Sequence, residues 1–523
     1  MPSDMKSEQA WLEQARSLIL RGDTTGAESV VVRALKELPQ SFELRRILAG
    51  ICRQTHRAPM AEMLLADLHA ERPGDAATAF ELARMLIARY RSNAAAVVMH
   101  TCFEHGHHDA ELAIQAIELL DDCGHQREAV RIAERAIAAH PGDARLHAYA
   151  GMLEIQSGEF DSARAHYLYA LEHTPQACEW HLPHGLALMQ RYRDAAHPDF
   201  ARFRQYLERD DLGAKARSTL LFALAKAYDD IGEFEQAAAY SRRANALAHT
   251  LTGWSRKHWR RAIQARLGAT PISTELEPQP GFVPVFIVGV PRSGTTLVSE
   301  LLARHPRVCN RGESPWVASQ AQQAGLIDNP GRLALQRAAA TYAALQRQDD
   351  AEGKRWFLDK QPLNFRYIDL IVALFPDAKI IYCRRNARDN ALSLWMQSFL
   401  EEVQGYAYDF GDIALVIRDS EQLMAHWKGM YADSIHEVRY EQLVASPETV
   451  VGRLGTWLGL PASETETFDL PAASTISTAS VWQARQPVYT RSAGRWKFYA
   501  SYLPELLKFD TDDSGHGAVQ RPS

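Results

Sequence analysis

The chain has 523 residues, enough for two or three domains with their own cores. Apolar residues make up 46% of it and charged residues 23%, as is ordinary for a soluble globular protein. The net charge of -6 gives no basis for nucleic-acid binding, so we expect no nucleic-acid partner.

The first residues, M-P-S-D-M-K-S-E-Q-A-W, do not resemble a signal peptide, because they contain no apolar run. Nowhere does the chain approach the roughly 18 apolar residues that a membrane helix needs. Its cysteines are scattered without a C-x-x-C pair, which favours reduced packing residues over a disulfide framework or a metal site. We therefore expect a cytoplasmic protein with no membrane span and no metal.

A period of 34 residues runs through the N-terminal half. Proline, alanine and, less strictly, glycine recur in three fixed phases. The positions are Pro39, Pro73, Pro141 and Pro175; Ala27, Ala61, Ala95, Ala129 and Ala163; and Gly22, Gly124 and Gly158, with His56 and Tyr90 in the two gaps. This is the period of the tetratricopeptide repeat, a helix-turn-helix unit whose helices approach closely at small residues. The spacing predicts repeats over 8–41, 42–75, 76–109, 110–143 and 144–177.

The phase breaks after residue 177. We expect an irregular helical pair over 178–217, followed by a further repeat around Gly232 and Ala237. Stacked repeats form a superhelix whose concave face often binds peptides or proteins. The alternative is a rigid spacer or an arm for homodimerisation. The run H-G-H-H at 105–108 is interpreted as a solvated turn, since neither acidic residues nor cysteines cluster beside it to complete a metal site.

A change of pattern marks the second half. Residues 267–284 are rich in proline and polar residues and have no helical period, which predicts a linker. From 285 onward, short apolar strands alternate with longer amphipathic stretches, as in an α/β domain with a parallel sheet. We thus predict an all-α tetratricopeptide superhelix over 1–266, then an α/β P-loop-like domain with a central parallel sheet over 285–508. A disordered tail is expected over 509–523.

The segment V-F-I-V-G-V-P-R-S-G-T-T at 285–296 has the outline of a P-loop, G-x-x-x-x-G-K-[ST]. Thr295 stands where the lysine is expected. Backbone N–H groups from Ser293 through Gly294 to Thr296 would open a helix and bind an anion, and Arg292 adds a cation. The segment therefore predicts a phosphate-like ligand, bound without the lysine that reaches the β- and γ-phosphates of ATP.

The stretch F-I-V-G-V-P-R-S-G-T-T-L resembles the 5′-phosphosulfate loop of sulfotransferases that use 3′-phosphoadenosine 5′-phosphosulfate (PAPS). It is especially similar to tyrosylprotein sulfotransferases and to bacterial proteins that join tetratricopeptide repeats to a sulfotransferase domain. The resemblance to the latter covers nearly the whole chain. It implies PAPS as co-substrate, and PAPS has no γ-phosphate for a loop lysine to reach.

Further segments match the same family. The resemblance of K-I-I-Y-C-R-R-N-A-R-D-N-A-L-S-L-W to the family's 3′-phosphate site implies that Arg385 and Ser393 bind that phosphate. Lys360, in W-F-L-D-K-Q-P-L, matches the lysine at the oxygen that bridges sulfate and phosphate, where a cation would stabilise the charge of the transition state. Other residues implied at the cofactor are Tyr440, in V-R-Y-E-Q-L, and Ser477 and Arg495, in the C-terminal loop.

A base is needed to accept the proton of an acceptor hydroxyl. An ungapped match from Arg292 places Glu313 on the catalytic glutamate of the tyrosylprotein enzymes. A gapped match would place Ser314 there, but serine is a poor base near neutral pH. Small-molecule sulfotransferases use histidine, for which His305 is the nearest candidate, although H-P here favours a helix end.

The sequence therefore predicts a PAPS-dependent sulfotransferase that acts on an acceptor hydroxyl. Glu313, Lys360 and Arg292 are the predicted catalytic residues. The repeat domain and the match at Glu313 favour a protein or peptide acceptor, with tyrosine as the target. One alternative is a P-loop kinase-like phosphotransferase, which the missing lysine opposes. The other is a repeat scaffold that carries an inactive nucleotide fold.

Overall fold

Helix pairs fill the N-terminal half of the chain. The computed structural model describes residues 7–106, 109–269, 272, 276–323, 326–327, 330–349, 351–399, 402–461 and 492–509. The first ten helices are α1 (Glu8–Leu20), α2 (Thr24–Glu37), α3 (Phe42–Gln54), α4 (Ala58–Glu71), α5 (Ala76–Ala88), α6 (Ser92–His105), α7 (Ala110–Asp122), α8 (Gln126–Ala139), α9 (Ala144–Ser157) and α10 (Phe160–His173). The first helices of successive pairs begin 34 residues apart, and so do the second helices. The predicted repeat is confirmed.

The periodic alanines lie where the second helix of each pair packs. Their exposure is 1% or less at every one of the five positions, Ala27, Ala61, Ala95, Ala129 and Ala163. A side chain of this size allows the close helix–helix approach that the repeat requires. The alanine phase is thus a packing constraint.

The turn inside each pair requires a left-handed residue. The backbone φ is +78° at Gly22, +81° at Gly124 and +88° at Gly158. It is also positive at the two positions where glycine is missing, +58° at His56 and +60° at Tyr90. A left-handed conformation costs a residue with a Cβ about 1–2 kcal/mol, whereas glycine adopts it freely. His56 and Tyr90 therefore keep the turn at an energetic cost.

The helical region continues past the regular repeats. It contains a 3₁₀ turn (Pro175–Cys178), α11 (Leu182–Leu188), α12 (Pro198–Leu207), α13 (Ala214–Asp230), α14 (Phe234–Leu251) and α15 (Arg256–Leu267). The predicted sixth unit is the pair α13–α14, with Gly232 at φ +84° in its turn and Ala237 fully buried. None of the helices in the described ranges is long and apolar enough to cross a membrane.

A five-stranded parallel sheet forms the centre of the α/β region. Its strands are β1 (Val283–Gly289), β2 (Val308–Asn310), β3 (Trp356–Asp359), β4 (Lys379–Arg384) and β5 (Ile435–Arg439), in the order β2-β3-β1-β4-β5. The helices around it are α16 (Thr295–Leu302), α17 (Trp316–Gln323), α18 (Arg332–Arg347), α19 (Ile368–Leu374), α20 (Ala387–Trp395), α21 (Phe410–Met430), α22 (Tyr440–Ala445) and α23 (Pro447–Leu458). Further 3₁₀ turns are Pro362–Tyr367, Glu402–Tyr408, Ala432–Ser434, Arg495–Phe498 and Pro504–Lys508. The predicted fold class is confirmed.

Strand β1 lies at the middle of the sheet, and its register determines which loops meet. Phe286 pairs with Asp359 of β3, and Gly289 pairs with Cys383 of β4. The carboxyl ends of parallel strands share one edge, where open α/β sheets bind their ligands. The loops that follow β1, β3, β4 and β5 therefore converge at that edge.

The chain divides into two compact units. One comprises Met1–Leu153 with Gln348–Asp350, and the other comprises Glu154–Arg347 with Ala351–Ser523. Helices α10 to α15 thus share a unit with the sheet, which is consistent with the hydrogen bond of 3.0 Å from Trp259 Nε1 to Asp419. The predicted bounds 1–266, 267–284 and 285–508 stay a prediction about sequence modules. Of the predicted tail, only Phe509 lies within the described residues.

We expect His56→Gly to stabilise the protein. His56 is exposed, so the substitution removes no buried contact, and it relieves the left-handed strain. The free energy of unfolding should rise by about 1 kcal/mol in denaturant titrations. The matched control is Arg53→Gly at an exposed helical position, which should lower it by about 1 kcal/mol. A loss of stability in His56→Gly would contradict the assignment of strain.

Candidate active site

The loop after β1 is held tightly by two glycines. Gly289 has φ +150°, and a Cβ there would lie 2.4 Å from the carbonyl oxygen of Cys383. Gly294 has φ +98°, and a Cβ there would lie 2.7 Å from the ring of Tyr440. Helix α16 begins directly afterwards, at Thr295. The loop thus presents a helix N-terminus at the sheet edge, as phosphate-binding loops do.

Arg292 links this loop to α20. Its φ of +70° is left-handed, an uncommon and costly conformation for arginine. Its Nε donates to Ser393 Oγ over 3.1 Å, and its carbonyl oxygen accepts from Arg385 at 3.0 Å. The structure therefore brings together three residues predicted from segments about ninety residues apart. Backbone strain of this kind clusters at functional sites, where the surrounding contacts hold it.

Arg385 is oriented by neutral groups. Its guanidinium lies 4.5 Å from the ring centroid of Tyr440 and donates to the carbonyl oxygen of Ser492 over 2.7 Å. Its Nε is buried and has no hydrogen-bond partner among the described residues, and the same holds for the hydroxyl of Ser293. Buried donors are nearly always paired, so two unpaired donors beside one loop require an explanation, and a bound ligand supplies one.

Lys360 and Glu313 are in contact. Lys360 follows β3 and is 2% exposed, and its Nζ donates to Glu313 Oε1. The loop that carries Glu313 is tied to the strand end, because the Lys360 N–H donates to the carbonyl oxygen of Gly312 over 2.8 Å. The structure thus joins the two residues predicted as cation and base.

The two alternative bases are occupied elsewhere. Ser314 Oγ accepts from the backbone N–H of Trp316 over 3.3 Å, at the start of α17. His305 precedes β2, at the amino edge of the sheet, and its ring nitrogens lie 3.1 Å from the Arg307 N–H and from the Pro461 carbonyl oxygen. That edge is opposite the loops described above. Glu313 is therefore better placed than either alternative.

Asp359 is a buried acid that the sequence analysis did not select. It ends β3 directly before Lys360, has no exposed surface, and accepts from the hydroxyl of Tyr342 over 2.8 Å. Burial raises its pKa to about 7, although the Tyr342 hydrogen bond, the Lys360 charge and the Ser314 N–H favour the ionised form. The signal that could have identified Asp359 in the sequence is an acidic residue at the carboxyl end of a buried strand.

The predicted C-terminal contacts are placed only in part. Ser477 lies outside the described residues. The Arg495 guanidinium is paired with Asp229 of α13 at 2.5 Å. The cofactor contact predicted for Arg495 stays a prediction, and its charge is already neutralised. The sequence analysis missed Asp389, whose carboxylate accepts from the Gly494 and Trp496 N–H groups over 2.6 and 2.9 Å.

Comparison with known proteins identifies the region that contains this site. Residues 284–464 match the family model described as the sulfotransferase family. An uncharacterized protein of Aquifex aeolicus is 29% identical over 316 residues, which is 56% of this chain and 41% of that protein. A protein-tyrosine sulfotransferase of Drosophila melanogaster is 24% identical over 239 residues, which is 40% of this chain and 46% of that protein. The chain thus spans less than half the length of these relatives.

Among solved structures, the sulfotransferase domain of the Synechococcus olefin synthase aligns with a TM-score of 0.33 and 21% identity. The alignment covers 44% of this chain and 91% of that domain. The family model covers the region of the sheet and its loops, and together with the similarity to a protein-tyrosine sulfotransferase it confirms the resemblance to sulfotransferases.

We expect the stability of the protein to fall as pH rises through neutrality, in part because of Asp359. Its pKa of about 7 in the folded chain exceeds the ordinary 3.8, so the folded state binds more protons between these values. Stability linked to this group is present at low pH and is lost toward pH 7. Denaturant titrations from about pH 5 to about pH 8 should show a steeper loss in the wild type than in Asp359→Asn.

The control for this measurement is Asp433→Asn, at an exposed position, which should keep the wild-type slope. If Asp359→Asn and the wild type lose stability in parallel, Asp359 is already ionised at the lower pH and the assignment is wrong.

Proposed function

We propose that the chain, whose residues 284–464 match the sulfotransferase family, transfers a sulfuryl group from PAPS to an acceptor hydroxyl. The observation that carries the proposal is the meeting of three elements at one sheet edge. These are the glycine-held loop with Arg292, the Arg385–Ser393 pair and the Lys360–Glu313 pair.

The groups at this edge fit a ligand with two anionic ends. The loop N–H groups at the start of α16 and the Ser293 hydroxyl, which has no hydrogen-bond partner within the part of the chain that the structure describes, would hold the 5′-phosphosulfate. Arg385, whose Nε is unpaired among the described residues, would bind the 3′-phosphate together with Ser393. The missing loop lysine agrees with a donor that has no γ-phosphate.

Glu313 and Lys360 would divide the chemistry between them. Glu313 would accept the proton as the acceptor oxygen forms its bond to sulfur. The bond between sulfur and the bridging oxygen breaks at the same time, and 3′-phosphoadenosine 5′-phosphate leaves. Lys360 would stabilise the negative charge that grows on that oxygen, an interaction that is stronger in the transition state than in the ground state.

Contact between these two residues has a consequence for the order of events. The Lys360 ammonium is nearly inaccessible to solvent, and it forms an ion pair with Glu313. A donor that draws the ammonium toward its bridging oxygen would compete with Glu313 for it. We therefore infer that donor binding releases the Glu313 carboxylate for proton transfer, so the base becomes available only when the donor is in place.

The acceptor we propose is a tyrosine hydroxyl of a protein or peptide. This rests on the similarity to a protein-tyrosine sulfotransferase, which is matched by 40% of this chain, and on the match at Glu313. Incubation with PAPS carrying labelled sulfate and tyrosine-containing peptides tests it, and label appearing only on carbohydrate or lipid acceptors would overturn it.

We expect Lys360→Ala to reduce the transfer rate by about 100-fold. Its affinity for PAPS, measured by calorimetry without an acceptor, should change by less than about threefold, because the bridging oxygen gains its negative charge only as the bond to sulfur breaks. The control is Lys354→Ala at the amino end of β3, where the Nζ donates to the Pro306 carbonyl oxygen; it should keep both values.

Equal losses of rate and affinity in Lys360→Ala would refute its role in the transition state. A wild-type protein that turns over ATP with magnesium but does not bind 3′-phosphoadenosine 5′-phosphate would overturn the sulfotransferase proposal in favour of a kinase.

A further inference from the structure

A short C-terminal segment connects the helical region to the proposed donor site within one compact unit. This segment, residues 492–499, is called the strap. Two N–H groups of the strap, at Gly494 and Trp496, donate to the buried carboxylate of Asp389 in α20. The carbonyl oxygen of Ser492 accepts from Arg385 over 2.7 Å. One end of the strap is therefore part of the shell that orients Arg385.

The other end of the strap is fastened to the helix pair α13–α14. Asp229 of α13 pairs with the Arg495 guanidinium at 2.5 Å and accepts from the hydroxyl of Tyr499. Phe234 of α14 stacks on Phe498 with ring centroids 5.1 Å apart. Because α13–α14 is a repeat unit by sequence, a repeat directly contacts a segment that touches the donor site.

The negative charge on Asp229 is stabilised by its neighbours. Burial alone would raise its pKa, but the Arg495 charge and the hydrogen bonds from Arg495 and Tyr499 outweigh burial and hold the pKa below its usual value. The same carboxylate raises the pKa of Arg495 against the effect of burial. The pair is thus ionic and partly withdrawn from solvent, a geometry in which removing one partner leaves a costly unpaired charge.

We propose that Asp229 is a positioning residue for the 3′-phosphate end of the donor site, acting through Arg495, the strap and the Ser492 carbonyl oxygen on Arg385. The inference rests on the proposed function. Arg385 has two backbone acceptors, Arg292 and Ser492, and only the second depends on the strap. Loss of the second acceptor leaves the Arg385 guanidinium less restrained. A less preorganised guanidinium binds its phosphate more weakly.

The experiment compares two nucleotides that differ only at the 3′ position. Asp229→Asn and the wild type are titrated with 3′-phosphoadenosine 5′-phosphate and with adenosine 5′-monophosphate. We expect Asp229→Asn to weaken binding of the first about tenfold and binding of the second by less than about twofold, a size typical of coupling between sites. Asp229→Glu, which keeps the charge, should recover part of the difference.

The matched control is Asp230→Asn on the same helix. Asp230 pairs with Lys226 at 2.6 Å and accepts from the Tyr192 N–H, so its loss disturbs α13 without touching the strap. It should leave the ratio of the two affinities at the wild-type value. Tyr499→Phe removes a single hydrogen bond to Asp229 and should lower the ratio by about twofold, so the proposal remains testable if Asp229→Asn does not fold.

An unchanged ratio in Asp229→Asn, or an equal weakening of both nucleotides, would overturn the inference, since a general structural defect affects both ligands alike. The same would follow if Asp230→Asn lowered the ratio as much as Asp229→Asn. A wild-type protein that does not distinguish the two nucleotides would remove the proposed function itself, and this inference with it.

Discussion

Close approach of the backbone at the carboxyl end of β1 is the constraint on which the candidate site depends. Gly289 pairs with Cys383 of β4, and there is no room for a Cβ between them. Because β1 and β4 meet without a side chain at this point, the loop after β1 lies against the segment after β4. The carbonyl oxygen of Arg292 can then reach Arg385. A side chain at Gly289 would push the loop that carries Arg292 away from the segment that carries Arg385. The two halves of the proposed donor site would then separate.

The way cations are held distinguishes binding from structure in this unit. Arg385 is held by two carbonyl oxygens and an aromatic ring, which orient it without neutralising its charge. Its neighbour Arg384 instead pairs with Glu421 and Glu437, and Arg495 pairs with Asp229. A guanidinium that donates to neutral acceptors keeps its attraction for phosphate. A guanidinium paired with a carboxylate has its charge largely neutralised and attracts phosphate less. By this criterion Arg385 is the better candidate for an anion.

Sequence reasoning succeeded where a local rule determines the structure. The 34-residue period predicted the bounds of the five repeats, and the first helix of each pair begins at the predicted first residue. The order of strand, glycine turn and helix identified the loop. The periodic phase even extended to Tyr90, which keeps the left-handed turn without being glycine. These features depend on residues that are near one another in the chain, so they can be predicted from a single sequence.

Sequence reasoning says less where a residue's role depends on a distant partner. The fold decides that Arg384 pairs with carboxylates while the adjacent Arg385 donates to carbonyl oxygens. The sequence also does not show that the Arg495 guanidinium contacts Asp229, some 270 residues earlier. Asp359 was overlooked because an acidic residue at a strand end does not by itself show that its carboxyl group is fully buried beside Lys360.

Repeats that share the same period in the sequence pack in different compact units of the structure. By sequence, α13–α14 is one more repeat, yet it shares a compact unit with the sheet, while the helices up to Leu153 form another. Two adjacent acidic residues on α13 show how this arises. Asp230 forms an ion pair with Lys226 within the helical region, and Asp229 forms an ion pair with Arg495 of the strap. A repeat can keep its own packing with one side chain and support a neighbouring site with the next. The alanine and glycine phases constrain only the packing of the repeat, so other positions, such as the half-buried Asp229, can support a neighbouring site.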